Sequence, residues 1–364
     1  MRICVIADQI YKSGGIERVL SLRIHQWIKK GYDVHLITNE NEQRPSYFHY
    51  DEQMVHHDLD GKFNKNISLF ASSNLVLASQ YFFKLKAAIR QIQPDVIVVV
   101  NYSYEFYFLP FLRKQSYCVK EYHSSFSAGQ GWVNRLKDYC AQFYHTHVFL
   151  SPEEARLSQQ PHYAVIPNPT MQIDASVRPL AEREKKIIAA GRIVALKGFE
   201  RLIESWATLA KRYPEWTLEI YGDGERDYVA QLQQLIDAQG VGQNTKIYPS
   251  TNQIVDKMLN SRIYAMSSFT ECFPMVLLEA MQTQMAIIAY DCPTGPRNIL
   301  QHQKTGILVE EGNLIAFAEQ LEQLLVDPAL AQSLADQAYI DVQQYHIDAV
   351  MQKWDAVLNQ GNSQ

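Results

Sequence analysis

The run FTECFPMVLLEAM, Phe269 to Met281, sets one carboxylate, Glu271, in a turn and a second, Glu279, eight positions on. Between them Phe273-Pro274-Met275-Val276 opens an apolar helix. Pro274 suits the first helical position, because it has no N–H to leave unpaired there and its φ is already helical. The N–H groups that follow point out of the helix mouth, and with the macrodipole they attract an anion, most naturally a phosphate. Glu279 then lies about a turn and a half down the helix, within reach of a group hanging beside that phosphate. A carboxylate before the helix and one inside it suit a ligand with a phosphate centre and hydroxyls at both ends. A nucleotide sugar has that layout. The plainer reading is also open at this point, since a Pro-started apolar helix with one Glu is common in α/β proteins.

The same residues carry a family resemblance. A Glu, seven residues and a Glu, with Phe-Pro after the first, resembles the signature of retaining glycosyltransferases of the GT-B fold, group-one family (family four), of the bacterial surface-polysaccharide type. The resemblance is sharp at three further places: Gly14-Gly15, the G-R-x-x-x-x-K-G run holding Arg192 and Lys197, and Asp291 to Arg297. It implies an α/β fold of two doubly wound, Rossmann-like parallel-sheet domains facing a central cleft. It also implies transfer of a sugar from a nucleotide sugar, a UDP-sugar by expectation, to a glycan or lipid-linked glycan.

Length and composition agree with a two-domain soluble globular chain: 364 residues, 47% hydrophobic and 20% charged. The net charge of −5 gives no sign of a nucleic-acid partner. Residues 1–165 carry 18 basic and 15 acidic side chains, and the rest carry 16 and 24. A basic first half suits an anionic membrane surface. Cys4, Cys118, Cys140, Cys272 and Cys292 are scattered and form no CxxC pair, so neither a zinc site nor a disulfide framework is expected. The chain opens straight into a strand-like run, and its longest apolar region, Val96 to Leu112, is broken by Asn101 and Glu105. A cytoplasmic enzyme is expected, with contact at the cytoplasmic membrane face open.

In the first half, Arg2 to Ala7, Ile16 to Lys30 and Asp33 to Thr38 make a βαβ unit with Gly14-Gly15 at the turn. Such a turn lets a ligand approach the backbone; it is equally ordinary turn chemistry. Asn41 to Lys65 reads as polar loop. Ile67 to Gln93 reads as a helix clustering Tyr81, Phe82, Phe83, Lys84, Lys86 and Arg90, either a bilayer-seating face or a normal helix with its aromatics in the core. Tyr102 to Phe111 is dense in aromatics and suits core packing, or the lining of an acceptor groove. His123 follows a strand, Tyr117 to Tyr122, at the end where α/β folds bind ligands. His145 and His147 have no third ligand nearby and read as structural. Pro167-Asn168-Pro169 ends the first domain.

In the second half, strands at Lys185 to Ala190, Thr217 to Tyr221, Lys246 to Pro249, Arg262 to Ser267, Met285 to Tyr290 and Gly306 to Val309 alternate with helices. Gly222-Asp223-Gly224-Glu225 reads as a tight turn with φ > 0, not as a metal-holding carboxylate pair. The expected domains are 1–170 on the acceptor side, 171–340 binding the nucleotide sugar, and a helix over 341–364, with Trp354, crossing back to the first domain.

The resemblance assigns roles by position. Gly14-Gly15 would lie under the donor's diphosphate and His123 beside the transferred sugar. Arg192, Lys197 and the amides of Met275 and Val276 would hold the departing diphosphate. Glu271 and the backbone around Cys272, Phe273 and Pro274 would hold sugar hydroxyls, and Glu279 the ribose. Asp291 to Arg297 would shape the donor side, and the base would stack near residues 246–249. No cofactor and no metal are expected. Two alternatives stay open: a UDP-sugar epimerase of the same fold, and a non-catalytic sugar-nucleotide-binding partner.

Overall fold

The computed structural model describes residues 1–64, 66–113, 115–123, 132–173 and 176–361. It divides into two compact units, Met1–Pro169 with Ile347–Gln364, and Thr170–His346.

The first unit is built on a parallel sheet of seven strands: β1 (Arg2–Ala7), β2 (Asp33–Thr38), β3 (Val55–Asp58), β4 (Val96–Val99), β5 (Tyr117–Glu121), β6 (Thr146–Phe149) and β7 (Tyr163–Val165), in the order β3-β2-β1-β4-β5-β6-β7. Its helices are α1 (Gly15–Lys29), α2 (Ser72–Ile92), α3 (Tyr104–Leu112), α4 (Trp132–Ala141) and α5 (Pro152–Ser158). Helices on both faces of a parallel sheet leave its strands no wet side, which is why β1 and β4 are near-continuous apolar runs. Alternation along β1 feeds two layers. Ile3, Val5 and Ala7 pack with Leu20, Ile24 and Trp27 of α1, whereas Cys4 and Ile6 pack with Leu85 and Ile89 of α2.

The second unit repeats the plan with six parallel strands: β8 (Glu184–Ala190), β9 (Thr217–Tyr221), β10 (Thr245–Tyr248), β11 (Ser261–Met266), β12 (Ala286–Tyr290) and β13 (Ile307–Val309), in the order β10-β9-β8-β11-β12-β13. Around them lie α6 (Phe199–Ala210), α7 (Arg226–Ala238), α8 (Ile254–Leu259), α9 (Met275–Gln282), α10 (Leu314–Val326) and α11 (Pro328–Asp341). Trp206 of α6, Leu218 and Ile220 of β9 and Phe317 of α10 belong to one buried core. In both units the strand order reverses beside the first strand, so the chain leaves β1 and β8 at a switch point where ligand crevices form.

Several elements differ from the sequence reading. A terminal helix α12 (Ile347–Gly361) begins six residues past 341, because Asp341 closes α11 and Val342–Tyr345 is a 3-10 turn; residues 362–364 lie outside those described. In α12, Trp354 meets Trp27 edge to face at 5.6 Å within the first unit. Strand β3 arises inside the stretch read as loop. Its sequence VHHD has no apolar face, and it forms as a sheet edge along β2, with His35 and His57 stacked at 5.4 Å. The expected helix over 67–93 starts only at Ser72, because Asn74 turns its side chain onto the preceding loop. Its amide bonds the backbone of Asn64 and Ser68. The aromatic stretch is a helix, α3, despite Pro110. Pro110 has no N–H for the carbonyl of Phe106, and the Tyr144 hydroxyl donates to that oxygen instead, at 3.1 Å.

Candidate active site

Every predicted site residue follows the C-terminal end of a parallel strand, or sits on the helix after one. Gly14-Gly15 follow β1, His123 follows β5, Arg192 and Lys197 follow β8, Glu271 to Glu279 follow β11, and Asp291 to Arg297 follow β12.

In the second unit the β8 and β11 loops are laced together. Phe269 N–H donates to Leu196 O at 2.9 Å, and Ser267 Oγ to Lys197 O at 3.0 Å. This brings Lys197 Nζ to 2.5 Å from Glu271 Oε1, which also accepts from Ser268 Oγ at 2.6 Å. Both charges are mostly buried, so their attraction is screened little by solvent. Arg192, five residues before Lys197 in the same loop, is exposed and makes no ion pair or side-chain hydrogen bond among the described residues. The loop thus offers one cation tied to a carboxylate and one that is not.

Pro274 sits one position earlier than expected, as the N-cap of α9 with φ −71° and ψ 110°, and Met275 is the first helical residue. The N–H groups of Met275 and Val276 fall where no intrahelical carbonyl can reach them. Phe273 turns its ring inward against Tyr345, edge-on at 5.6 Å, leaving the backbone of Cys272–Phe273 at the turn. Glu279 lies on the inner face of α9, nearly fully buried.

The β12 loop closes on the same turn. Thr294 bridges Glu271, its Oγ1 donating to Glu271 O at 3.0 Å, and it does so at φ +63°. A β-branched residue in the left-handed region is a genuine outlier, and strain of this kind, about 1–3 kcal/mol, collects at functional sites. Gly295 is required next to it, since a Cβ there would stand 2.4 Å from Glu271 Cβ. Arg297 is held by Asp291, Nε to Oδ1 at 2.7 Å.

Arg201 was not among the residues singled out from sequence. Its buried guanidinium donates to the carbonyls of Ser267 and Ser268, each at 2.5 Å, pairs with Glu311 at 2.6 Å, and lies between the rings of Phe269 and Tyr290 at 4.0 and 4.1 Å. It fixes the turn that carries Glu271. Its only sequence signal is an arginine at an inward position of α6, which the nearby Arg192 and Lys197 obscured.

The Gly-Asp-Gly turn after β9 differs from expectation. Neither Gly222 nor Gly224 has a positive φ. They are glycines because a Cβ would strike Gly191 O at 1.9 Å and Ile193 O at 2.2 Å, so they allow the β9 loop to press on the Arg192 loop. Asp223 accepts from Ser250 N–H at 3.0 Å and from its hydroxyl. Near the expected base position, Tyr248 stacks on Tyr221 at 5.0 Å.

In the first unit, Gly14 is the N-cap of α1 and Gly15 its first residue, with Glu17 in the first turn. Gln9 donates to the Glu17 carboxylate. Burial pushes the Glu17 pKa up, against the helix amides, Gln9, Lys12 and the charge of His123. His123 Nε2 stands 3.0 Å from Glu121 Oε1, and Glu121 takes both nitrogens of Arg23 at 2.7 Å. Burial alone would raise the Glu121 pKa, but Arg23 and then His123 outweigh it and hold the carboxyl well below its usual range. Arg23 in turn lies against Trp27 and Trp354 at 5.0 and 4.3 Å.

Among the described residues no cluster of three or more His, Cys, Asp or Glu is disposed to hold a metal, and no helix is long and apolar enough to cross a membrane.

Two doubly wound parallel units, each with its site loops at the strand C-termini, define the GT-B class. Comparison with known proteins agrees. HepE (Alr3699) of Anabaena, solved in complex with UDP, superposes with a TM-score of 0.80 at 18% identity, over 99% of this chain and 100% of that one. The lipopolysaccharide outer core galactosyltransferase WaaB gives 0.77 at 17%, over 99% of both chains. Residues 13–170 match the family described as Glycosyltransferase Family 4 and residues 171–341 that described as Glycosyl transferases group 1. Similar in sequence along their whole lengths are an uncharacterized glycosyltransferase of Haemophilus influenzae, 27% identical over 96% of this chain and 97% of the relative, and the amylovoran biosynthesis glycosyltransferase AmsD of Erwinia amylovora, 26% identical over 98% and 99%. The chain belongs to the group-one glycosyltransferases.

Proposed function

We propose that this glycosyltransferase moves a sugar from a nucleotide sugar, a UDP-sugar, to a glycan or lipid-linked glycan during bacterial surface-polysaccharide synthesis, with retention at the transferred carbon. The observation that carries the reading is the Lys197–Glu271 pair beside the mouth of α9, with Arg192 in the same loop making no ion pair among the described residues. A diphosphate arriving there would draw Lys197 into sharing between itself and Glu271. It would also accept from Arg192 and from the amides of Met275 and Val276. Glu271 and the Cys272–Phe273 backbone would then hold sugar hydroxyls, and Glu279 the ribose. Gly14, Gly15 and His123 would serve the sugar and the acceptor from the first unit. The UDP in the Anabaena complex and the amylovoran role of the Erwinia relative support the donor and the process.

As the bond from sugar to diphosphate breaks, the acceptor oxygen bonds to the same face and its proton passes to the departing phosphate oxygen. Charge grows on the diphosphate in the transition state, where Arg192, Lys197 and the helix mouth act on it most strongly. Mixing the protein with a panel of UDP-sugars should give slow UDP release from one of them, undiminished by EDTA. No release from any UDP-sugar would count against the donor, and strict dependence on a divalent ion would count against the metal-free diphosphate site.

Peripheral membrane contact is part of the reading. Val76 and Phe83 on α2, Phe111 on α3 and Trp132 on α4 are all more than 60% exposed, whereas Tyr81 is buried in the core. Vesicles containing phosphatidylglycerol should sediment the protein, and Phe83→Glu should weaken this. Equal recovery in the supernatant with and without vesicles would remove the membrane from the proposal.

A further inference from the structure

At the opposite end of the first unit's sheet, where β5, β6 and β7 begin, an open groove of about 590 Å³ is bordered by Arg113, Gln142, His145, Tyr163 and Gln360. None of the residues discussed for sugar transfer reaches it.

Cys118 N–H donates to His145 Nδ1 at 2.8 Å, so the ring hydrogen is on Nε2. Arg113 Nη1 stands 3.3 Å from that Nε2. With the ring hydrogen on Nε2, both nitrogens are donors and neither accepts from the other. Arg113 Nη1 also donates to Phe143 O at 2.5 Å, which answers the carbonyl end following α4. The Nε and Nη2 of Arg113 have no hydrogen bond among the described residues, and no Asp or Glu borders the groove among them. A planar guanidinium edge left open in this way suits a carboxylate or phosphate.

The rest of the lining suits hydroxyls. Tyr117 OH donates to Gln360 Oε1 at 2.8 Å, which leaves the Gln360 amide hydrogens to donate outward. Gln142 Nε2 donates to Tyr139 O at 2.9 Å, which leaves its carbonyl to accept. Tyr163, 51% exposed on the rim, presents a ring face of the kind that packs against the C–H side of a pyranose.

We propose that this groove binds an acidic saccharide unit, with its oxyanion on Arg113 and His145 and its ring against Tyr163. The groove shares no residue with the donor site, and its occupancy does not depend on how transfer proceeds.

The test is calorimetric titration of the whole protein with trigalacturonic acid, maltotriose and inorganic phosphate, without donor. Trigalacturonic acid should bind saturably and at least about tenfold more tightly than either control, a gap of about 1.4 kcal/mol. Arg113→Gln and Tyr163→Ala should each weaken it by about tenfold or more, with melting temperature and UDP binding unchanged. Tyr163 lies on an exposed rim, so its variant keeps the test valid if Arg113→Gln disturbs the end of α4. Three results would overturn the proposal: no saturable binding of trigalacturonic acid, phosphate binding as tightly as the trisaccharide, or undiminished binding by both variants. Failure of UDP to bind would bear on the donor reading alone.

Discussion

At the scale of single residues, Arg192 and Lys197 make separable predictions. Arg192 is exposed and makes no ion pair among the described residues, so Arg192→Ala should lower kcat by at least ~10²-fold while leaving the melting temperature in place. Lys197→Ala should cost as much in kcat, and it also leaves Glu271 without its nearest cation. Steady-state kinetics with thermal melts would show the split, and near-wild-type turnover in Lys197→Ala would remove the diphosphate assignment. That these two cations and Glu271 fall in loops after strands, and that Pro274 and Glu279 belong to the helix after β11, was legible in the sequence because each is a chemical type at a telling spacing. Arg201, Thr294 and Gly295 were not. Their importance lies in what they touch across long sequence separations: Ser267 and Ser268 for Arg201, and the Glu271 backbone for the other two.

Among elements, the strands of both sheets were legible because parallel strands buried on both faces are short apolar runs between turn residues. Strand β3 was not, because an edge strand of sequence VHHD takes its conformation from its neighbour. Helix α3 was not, because Pro110 and aromatic crowding hide a helix whose lost hydrogen bond is replaced from outside by Tyr144. The end of β5 carries a second hidden feature. Lys120 is fully buried, with Nζ donating to the carbonyls of Val100, Asn101 and Glu121 at 3.0, 3.1 and 2.8 Å. Burial lowers its pKa to about 7, opposed by Glu105 and Glu121. Glu105, at the start of α3, is pushed up to about 8 by burial and then by Asp8, against 4.5 for an ordinary glutamate. Between those two values the folded carboxyl keeps a proton that the unfolded chain has lost, so its contribution to stability falls as pH rises through that window. Lys120 acts in the opposite sense, and only from about pH 7 upward. Glu105→Gln cannot ionise and keeps an acceptor for Asn39, which donates to Glu105 Oε2 at 2.9 Å. Melting temperatures measured from pH 5 to pH 7 should therefore decline less steeply in the variant. Parallel slopes would mean that Glu105 does not titrate in this way.

For the whole molecule, the repeated α/β plan and the family were legible from four short motifs. What they do not carry is the role of α12. Trp354 is buried against Trp27 and lies over Arg23, the partner of Glu121, so it belongs to the chain of contacts that ends at His123. Trp354→Ala should cost about 3–5 kcal/mol, read as a lowered melting transition of the first unit with that of the second unchanged; coincident loss of both would contradict the division into units. The placement of α12 also bears on how the protein is made. Residues 1–169 emerge from the ribosome lacking the helix that covers Trp27, and 177 further residues, 170–346, must be synthesised before it appears. At about 5–20 residues per second, the nascent first unit waits on the order of ten to thirty seconds with an indole and an arginine uncovered, an interval in which a chaperone would find it.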